Sequence, residues 1–266
     1  MAEEINGTPE STGHPYLLTP HFSVHEVAYQ EVLARHGIAD RGSCFFGSLA
    51  MLASACSRYS PEETLDRLIE VFKKYDPEYL AKANEVLPES QRVQDLHHLP
   101  PLVDLRVGSV NTRWFDTTHI GNTLRLLNTM FAREELGIAL SIWNVQQIVS
   151  ESGEQSRASR QSIVSRVGAA IMENCEQYAR QETGILLPVR ELGVEDKRHI
   201  TAICGVLKTP SGDSLIIDDP SLEETEYLSY RTVGRLFTKG LDTVVVDYAQ
   251  PAMLVAKAAA TTIPAI

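Results

Sequence analysis

The sequence has few cysteines, and no two of them have the spacing of a zinc site or a redox motif. The four cysteines, Cys44, Cys56, Cys175 and Cys204, each stand in an apolar run. Their number and spacing exclude a disulfide framework and a structural zinc site. The default for each is a reduced, buried, small hydrophobic residue. No metal and no organic cofactor is predicted.

Long hydrophobic runs and an excess of basic residues are also missing. The longest apolar stretch, residues 45–56, is interrupted by Gly47, Ser48 and Ser54 and is shorter than a bilayer span requires. Residues 1–13 show no basic region followed by an apolar one, so no secretory signal is visible. The formal charge of −11, from 35 Asp+Glu against 24 Lys+Arg, disfavours a broad surface for nucleic acid or anionic lipid.

From these absences we expect a protein made in the cytoplasm, without an integral membrane segment and without a nucleic-acid partner. Export by a route that does not use such a signal stays open. Apolar residues make up 43% and charged residues 22%, as in an ordinary globular protein. Residues 1–22, rich in Gly, Pro, Ser, Thr and Glu, are predicted to be a flexible lead-in. Residues 23–250 are predicted to form one domain, and 251–266 a C-terminal tail.

Hydrophobic periodicity predicts an α+β protein in which helices come first and strands later. The predicted helices span residues 23–35, 44–56, 60–72, 77–87, 120–135, 161–180 and 230–237, with 88–112 irregular. The predicted strands span residues 138–143, 185–189, 200–207, 214–217 and 243–246. The turn sequence at 209–213 joins the third and fourth strands as a hairpin. This order predicts segregated layers, with a helical layer packed on an antiparallel sheet.

The sharpest local feature is a cysteine where a loop meets a buried helix, in the segment Asp40-Arg41-Gly42-Ser43-Cys44. The unpaired N–H groups and the dipole of a helix start favour the thiolate form of a cysteine. Backbone N–H groups of Ser43 or Cys44 could hold a developing oxyanion. Gly42 would let a substrate backbone approach closely. The alternative is that Cys44 is merely the first residue of a core helix.

The second feature is His199, which opens a predicted strand. The return strand of the same hairpin ends at Asp218-Asp219-Pro220. A nucleophilic thiol needs a base, and the base needs an acceptor that orients it. Adjacent antiparallel strands bring an acidic group at the end of one beside a histidine at the start of the other. Taken alone, the acidic pair would be read as a surface turn.

The order Cys, His, Asp and the long separation of Cys44 from His199 resemble the papain-like cysteine peptidase superfamily. The C-terminal third is similar to its C39-like branch, with a His-led strand, a hairpin, an Asp-Pro strand end, a short helix at 229–237 and a last strand at 243–248. The resemblance covers about residues 38–57 and 198–248. It implies that Cys44 is the nucleophile, His199 the base and Asp219 the orienting acid, with Asp218 as second choice.

One departure concerns the oxyanion hole. Papain-like enzymes usually carry a Gln about six residues before the cysteine, and this chain has Ile38 there. The hole would then come from backbone N–H groups or from another side chain, of which Asp40 is a candidate. Otherwise the site is degenerate. The segment 40–46 also resembles ovarian-tumour-type deubiquitinases, although with an extra residue. Trp143, at a strand end, is a candidate for lining the substrate cleft.

The resemblance implies a cysteine hydrolase that cleaves an amide bond in a protein or peptide substrate, most simply a protease. A glutamine deamidase or a deubiquitinase with the same triad remains an alternative, as does a non-catalytic papain-like binding module. Several bacterial virulence effectors are similar in size and in lacking a conventional signal. That similarity implies possible export into a host cell through a specialised secretion system.

Overall fold

A computed structural model describes the parts of the chain that form its helices and its main sheet. The described residues are 26–38, 44–74, 103–104, 109–110, 120–143, 145, 147–148, 151, 160–190, 198–210, 212–220, 225–237 and 252–258. The helices in this part are α1 (Glu26–Arg35), α2 (Cys44–Ala55), α3 (Pro61–Lys74), α4 (Ile120–Arg133), α5 (Arg160–Arg180) and α6 (Tyr230–Phe237).

The strands form two antiparallel sheets. Their bounds are β1 (Val103–Asp104), β2 (Ser109–Val110), β3 (Ile138–Trp143), β4 (Gly184–Arg190), β5 (Arg198–Leu207), β6 (Ser214–Asp218), β7 (Glu226–Ser229) and β8 (Ala252–Lys257). β1 pairs only with β2 in the described part of the chain. The other six strands lie in the order β3-β8-β4-β5-β6-β7, and every neighbouring pair is antiparallel.

Local sequence signals explain several element ends. Gly37 adopts a left-handed φ of 69° just after α1, where the N–H of Ile38 donates to the carbonyl of Leu33. This is a common way to end a helix, because glycine takes that conformation without steric cost. At the start of α3, Ser60 and Glu63 bond to each other's backbone N–H as a capping box.

Hydrophobic residues fill both faces of the six-stranded sheet. The first core cluster joins α1 to α4 with alternate residues of the sheet, among them Leu186 of β4 and Ile200 of β5. The second cluster joins α5 and α6 with the intervening residues, among them Ile185 and Leu187. Because successive strand residues point to opposite faces, the sheet is enclosed between two helical layers. α2 lies in the first layer and crosses β5.

The α+β class with an antiparallel sheet is confirmed. Helices α2 and α6 and strand β3 begin where the sequence predicts them, and β5 and β6 form the expected hairpin. The expected segregation of helices into one layer and strands into another holds only in part. α5 and α6 cover the second face of the six-stranded sheet, and β3 precedes α5 along the chain. The predicted helix at 77–87 and the predicted strand at 243–246 lie outside the described residues.

Three features of the strand arrangement were missed from the sequence. β1 and β2 form within the stretch expected to be irregular, and β7 lies at the sheet edge where no strand was expected. β8 forms within the segment 251–266, which was expected to be a C-terminal tail, and it lies between β3 and β4. The strand has the sequence AMLVAK, which carries no alternating polar pattern, so periodicity did not reveal it.

No helix in the described part of the chain is long and apolar enough to cross a bilayer.

Candidate functional site

Cys44 is the first residue of α2, and the rest of that helix is almost entirely enclosed. All residues from Phe45 to Ser54 are buried, whereas Cys44 is only half-buried. No acidic side chain lies in the first turn of α2, so no carboxylate of that turn offsets the positive end of the helix dipole. The thiol therefore lies at the accessible, electropositive end of a buried helix. The candidate residues Asp40, Gly42 and Ser43 precede it and lie outside the described residues.

A hydrogen bond joins α2 to the strand that carries His199. The Ser48 hydroxyl donates to the Ile200 carbonyl over 2.9 Å, and Ser48 is fully buried. Ser48 lies one turn after Cys44, and positions four apart share a face of an α-helix. Ile200 directly follows His199 in β5. The bond therefore brings the first turns of α2 to the beginning of β5.

His199 itself is described by its backbone. It is the second residue of β5 and pairs with Val189 of β4. Its side chain lies outside the described residues. We predict that the Cys44 sulfur lies within about 4 Å of a His199 ring nitrogen. This limit allows for the loose hydrogen bonds of an active site without substrate. It stays a prediction.

The turn that carries Asp219 also packs on α2. A Cβ atom added at Gly47 would clash with the Pro220 ring and would stand 2.8 Å from the Tyr29 ring. Only glycine therefore allows Pro220 to lie this close to the helix. Pro220 directly follows Asp219, and both residues are buried. The first turns of α2 thus contact residues adjacent to both His199 and Asp219.

The two neighbouring aspartates have different surroundings. Asp218 ends β6 opposite Ala202, is 2% exposed and accepts a hydrogen bond from the Cys204 thiol, 3.0 Å from its Oδ2. Asp219 follows the strand and is 8% exposed. The thiol contact ties one oxygen of Asp218 to β5, on the face of the sheet that packs against α2. This contact could not be predicted from the sequence, because Cys204 and Asp218 are 14 positions apart.

The other three cysteines are less suited to reaction than Cys44. Cys175 and Cys204 are buried, as the sequence predicted, and burial raises the pKa of the Cys175 thiol far above its ordinary value. Cys56 is half-buried rather than enclosed. Burial, and then the negative charge of Glu182, raise the pKa of its thiol. A raised pKa keeps a thiol protonated near neutrality and lowers its nucleophilicity.

Trp143 is not brought to Cys44. It is 3% exposed, belongs to the second core cluster and packs edge-to-face on Tyr178 of α5, with ring centroids 5.8 Å apart. α2 lies on the opposite face of the sheet. The structure therefore gives Trp143 a packing role, and its proposed place in a substrate cleft near Cys44 has no support from this position.

Ser48 and Gly47 are the site residues that sequence reasoning missed. Both appeared only as interruptions of an apolar run. A buried hydroxyl needs a partner, so a serine one turn after a candidate nucleophile was a usable signal. A glycine within a buried helix likewise indicated a close approach by another segment.

Neither known family models nor curated proteins yielded a match to this chain. Within the described residues, no group of three or more His, Cys, Asp and Glu side chains is arranged to hold a metal ion. The arrangement offers a half-buried thiol at a helix start, with a histidine-bearing strand and an aspartate-bearing turn packed against the same helix. These are the elements that nucleophilic catalysis by cysteine uses.

Proposed function

We propose that this chain is a papain-like cysteine hydrolase of the C39-like type that cleaves an amide bond in a protein substrate. Cys44 is its nucleophile, His199 its base and Asp219 the acid that orients the base. The observation that carries the proposal is the hydrogen bond from Ser48 to the Ile200 carbonyl. It links Ser48, which lies one helical turn after the proposed nucleophile, to Ile200, which directly follows the proposed base.

The contact of Gly47 with Pro220 supports the third member of the triad. It holds the turn after β6 against the same end of α2. Asp219 lies in that turn, whereas one oxygen of Asp218 is bonded to the Cys204 thiol of β5. We therefore take Asp219, which directly precedes the Pro220 that packs on α2, as the orienting acid, with Asp218 as second choice.

The proposed reaction proceeds through a thioester. His199 takes the proton of the Cys44 thiol, and the thiolate attacks the carbonyl carbon of the substrate amide. His199 then gives that proton to the leaving nitrogen as the C–N bond breaks. A water molecule, deprotonated by His199, attacks the resulting thioester and releases the acid product and the free thiol. No redox partner is needed.

The oxyanion in this scheme is held by backbone N–H groups at the start of α2. The first four N–H groups of an α-helix have no acceptor within the helix, and they point out of its N-terminal end. Ile38, at the position of the usual Gln, is 5% exposed and packs in the first core cluster. It cannot supply a polar contact, so the Cys44 N–H and its neighbours must do so.

The buried Ile38 also supports the second candidate function, a papain-like module that binds a protein without cleaving it. Such a module would keep the fold but lack a competent oxyanion hole. The two functions differ in one testable property. A hydrolase converts substrate and loses this activity when Cys44 is replaced, whereas a binding module retains its partner without changing it.

The test is mass spectrometry of a proteome-derived peptide and protein library after incubation with the wild-type chain or with Cys44→Ala. We expect new chain termini with the wild type alone, because cleavage needs the thiol. Conversion of glutamine to glutamate without cleavage would assign a deamidase instead of a protease. Release of ubiquitin alone would assign a deubiquitinase. Identical product sets from both proteins would contradict a hydrolase.

A further inference from the structure

The carbonyl that accepts the Ser48 hydrogen bond lies where the sheet ladder offers it no backbone donor. The Ile200 carbonyl lies in β5 opposite Pro188 of β4, and proline has no N–H to donate. On the other side, the pairing of β5 with β6 begins only at Ala202, opposite Asp218. The Ser48 hydroxyl therefore supplies a donor to a buried carbonyl at a point where the sheet ladder does not.

We infer that Ser48 is a positioning residue that sets His199 relative to Cys44, an inference that rests on the proposed function. Ser48 is fixed to Cys44 through one turn of rigid helix, and Ile200 is fixed to His199 through one peptide bond. The 2.9 Å bond between them closes a path that spans 152 positions of sequence. Small displacements of a catalytic group, of about 1 Å, can reduce rates by about a hundredfold.

The same helix contains a matched control for this inference. Ser54 is 3% exposed, and its hydroxyl donates over 2.7 Å to the carbonyl of Met51, three residues earlier in α2. Ser48→Ala and Ser54→Ala thus remove the same buried atom from the same helix. Only Ser48→Ala removes a hydrogen bond between α2 and β5.

The experiment measures the rate at which iodoacetamide alkylates Cys44 as a function of pH, by peptide mass spectrometry of the full chain. For Ser48→Ala we expect the midpoint of the profile to move up by about one pH unit, with about tenfold slower alkylation near pH 6, because the base no longer stabilises the thiolate. Ser54→Ala should keep the wild-type profile. A merely structural role would lower thermal stability in both variants without moving the midpoint.

A comparison of His199→Ala with the wild type distinguishes the inference about Ser48 from the proposed function on which it rests. If the wild-type profile depends on His199 and Ser48→Ala leaves it unchanged, the inference about Ser48 is wrong and the proposed function stands. If the profile is the same with and without His199, both are wrong. An equal shift in Ser54→Ala would also overturn the inference, because it would show a general effect of loosening α2.

A second pair of variants covers the case in which Ser48→Ala does not fold. Ser48→Thr and Ser48→Val have side chains of the same shape, and only threonine keeps the hydroxyl. Both carry the same added bulk, so the difference between them isolates the hydrogen bond. The inference expects a wild-type midpoint in the threonine variant and a raised one in the valine variant. Equal midpoints would contradict it.

Discussion

At the scale of single residues, the proposed site depends on small groups rather than on its candidate catalytic side chains alone. The hydroxyl of Ser48 and the missing side chain of Gly47 bring the helix of Cys44 against the segments of His199 and Asp219. Candidate residues could be predicted from the sequence, because a cysteine at a helix start and an acid before proline have local signatures. Their supporting partners could not, because those contacts join residues that are far apart in the chain.

The two aspartates provide a test at this scale. Asp219→Ala should lower the rate of substrate hydrolysis by about 10- to 100-fold, since an unoriented base is a poorer catalyst. Asp218→Ala should instead lower the free energy of unfolding by about 1–3 kcal/mol, because it removes the buried hydrogen bond between the Cys204 thiol and the Asp218 carboxylate. Steady-state hydrolysis and urea denaturation measure the two effects. Loss of activity in Asp218→Ala alone would make Asp218 the orienting acid.

At the scale of elements, the bounds of the long helices and the hairpin follow from periodicity and turn residues. α6 and β3 have their predicted bounds, and the turn before β6 is closed by a hydrogen bond from the Gly212 N–H to the Thr209 carbonyl. β7 was missed because it is only four residues long and mostly exposed. Such a strand is determined by pairing with β6 rather than by its own pattern.

The crossing of α5 and α6 depends on two glycines that face each other's helix. An added Cβ at Gly168 would clash with the Tyr230 carbonyl oxygen, and one at Gly234 would clash with the Val164 carbonyl oxygen. Gly168→Ala should therefore lower the free energy of unfolding by about 1–3 kcal/mol or more, because backbone must move apart. Urea denaturation measures this loss.

Gly205→Ala is the control for the helix crossing. An added Cβ there would meet its nearest atom, the Ala179 Cβ, at 3.6 Å, which is ordinary van der Waals contact. We expect a change in unfolding free energy within about 1 kcal/mol. Equal losses in the Gly168 and Gly205 variants would show that the close approach of α5 and α6 does not limit stability.

At the scale of the whole molecule, the sheet is assembled from distant parts of the chain. β8, near the C-terminus, lies between β3 and β4, and helices enclose both faces. The sequence predicted the α+β class correctly but placed the helices in one layer. The order of elements along the chain does not determine which face a helix covers, since that depends on which strand residues it meets.

Removal of β8 tests this assembly. A chain that ends at Gln250 should lose cooperative unfolding, because β3 would lose its partner and β4 one of its two neighbours. A chain that ends at Ala258 retains β8 and is the matched control. Thermal unfolding followed by circular dichroism measures the effect. A chain ending at Gln250 that unfolds like the full protein would contradict the position of β8.

The central claim is that Cys44 is a thiol activated by His199, and its labelling rate tests this most directly. The measurement is the rate of modification of each cysteine by a thiol-directed electrophile at neutral pH, in the wild type and in His199→Ala. We expect Cys44 to react at least about tenfold faster than Cys56, Cys175 and Cys204 in the wild type, because the others are buried or have a raised pKa. His199→Ala should remove most of that advantage. A wild-type Cys44 that reacts no faster than Cys56, or one that is indifferent to His199, would contradict the account.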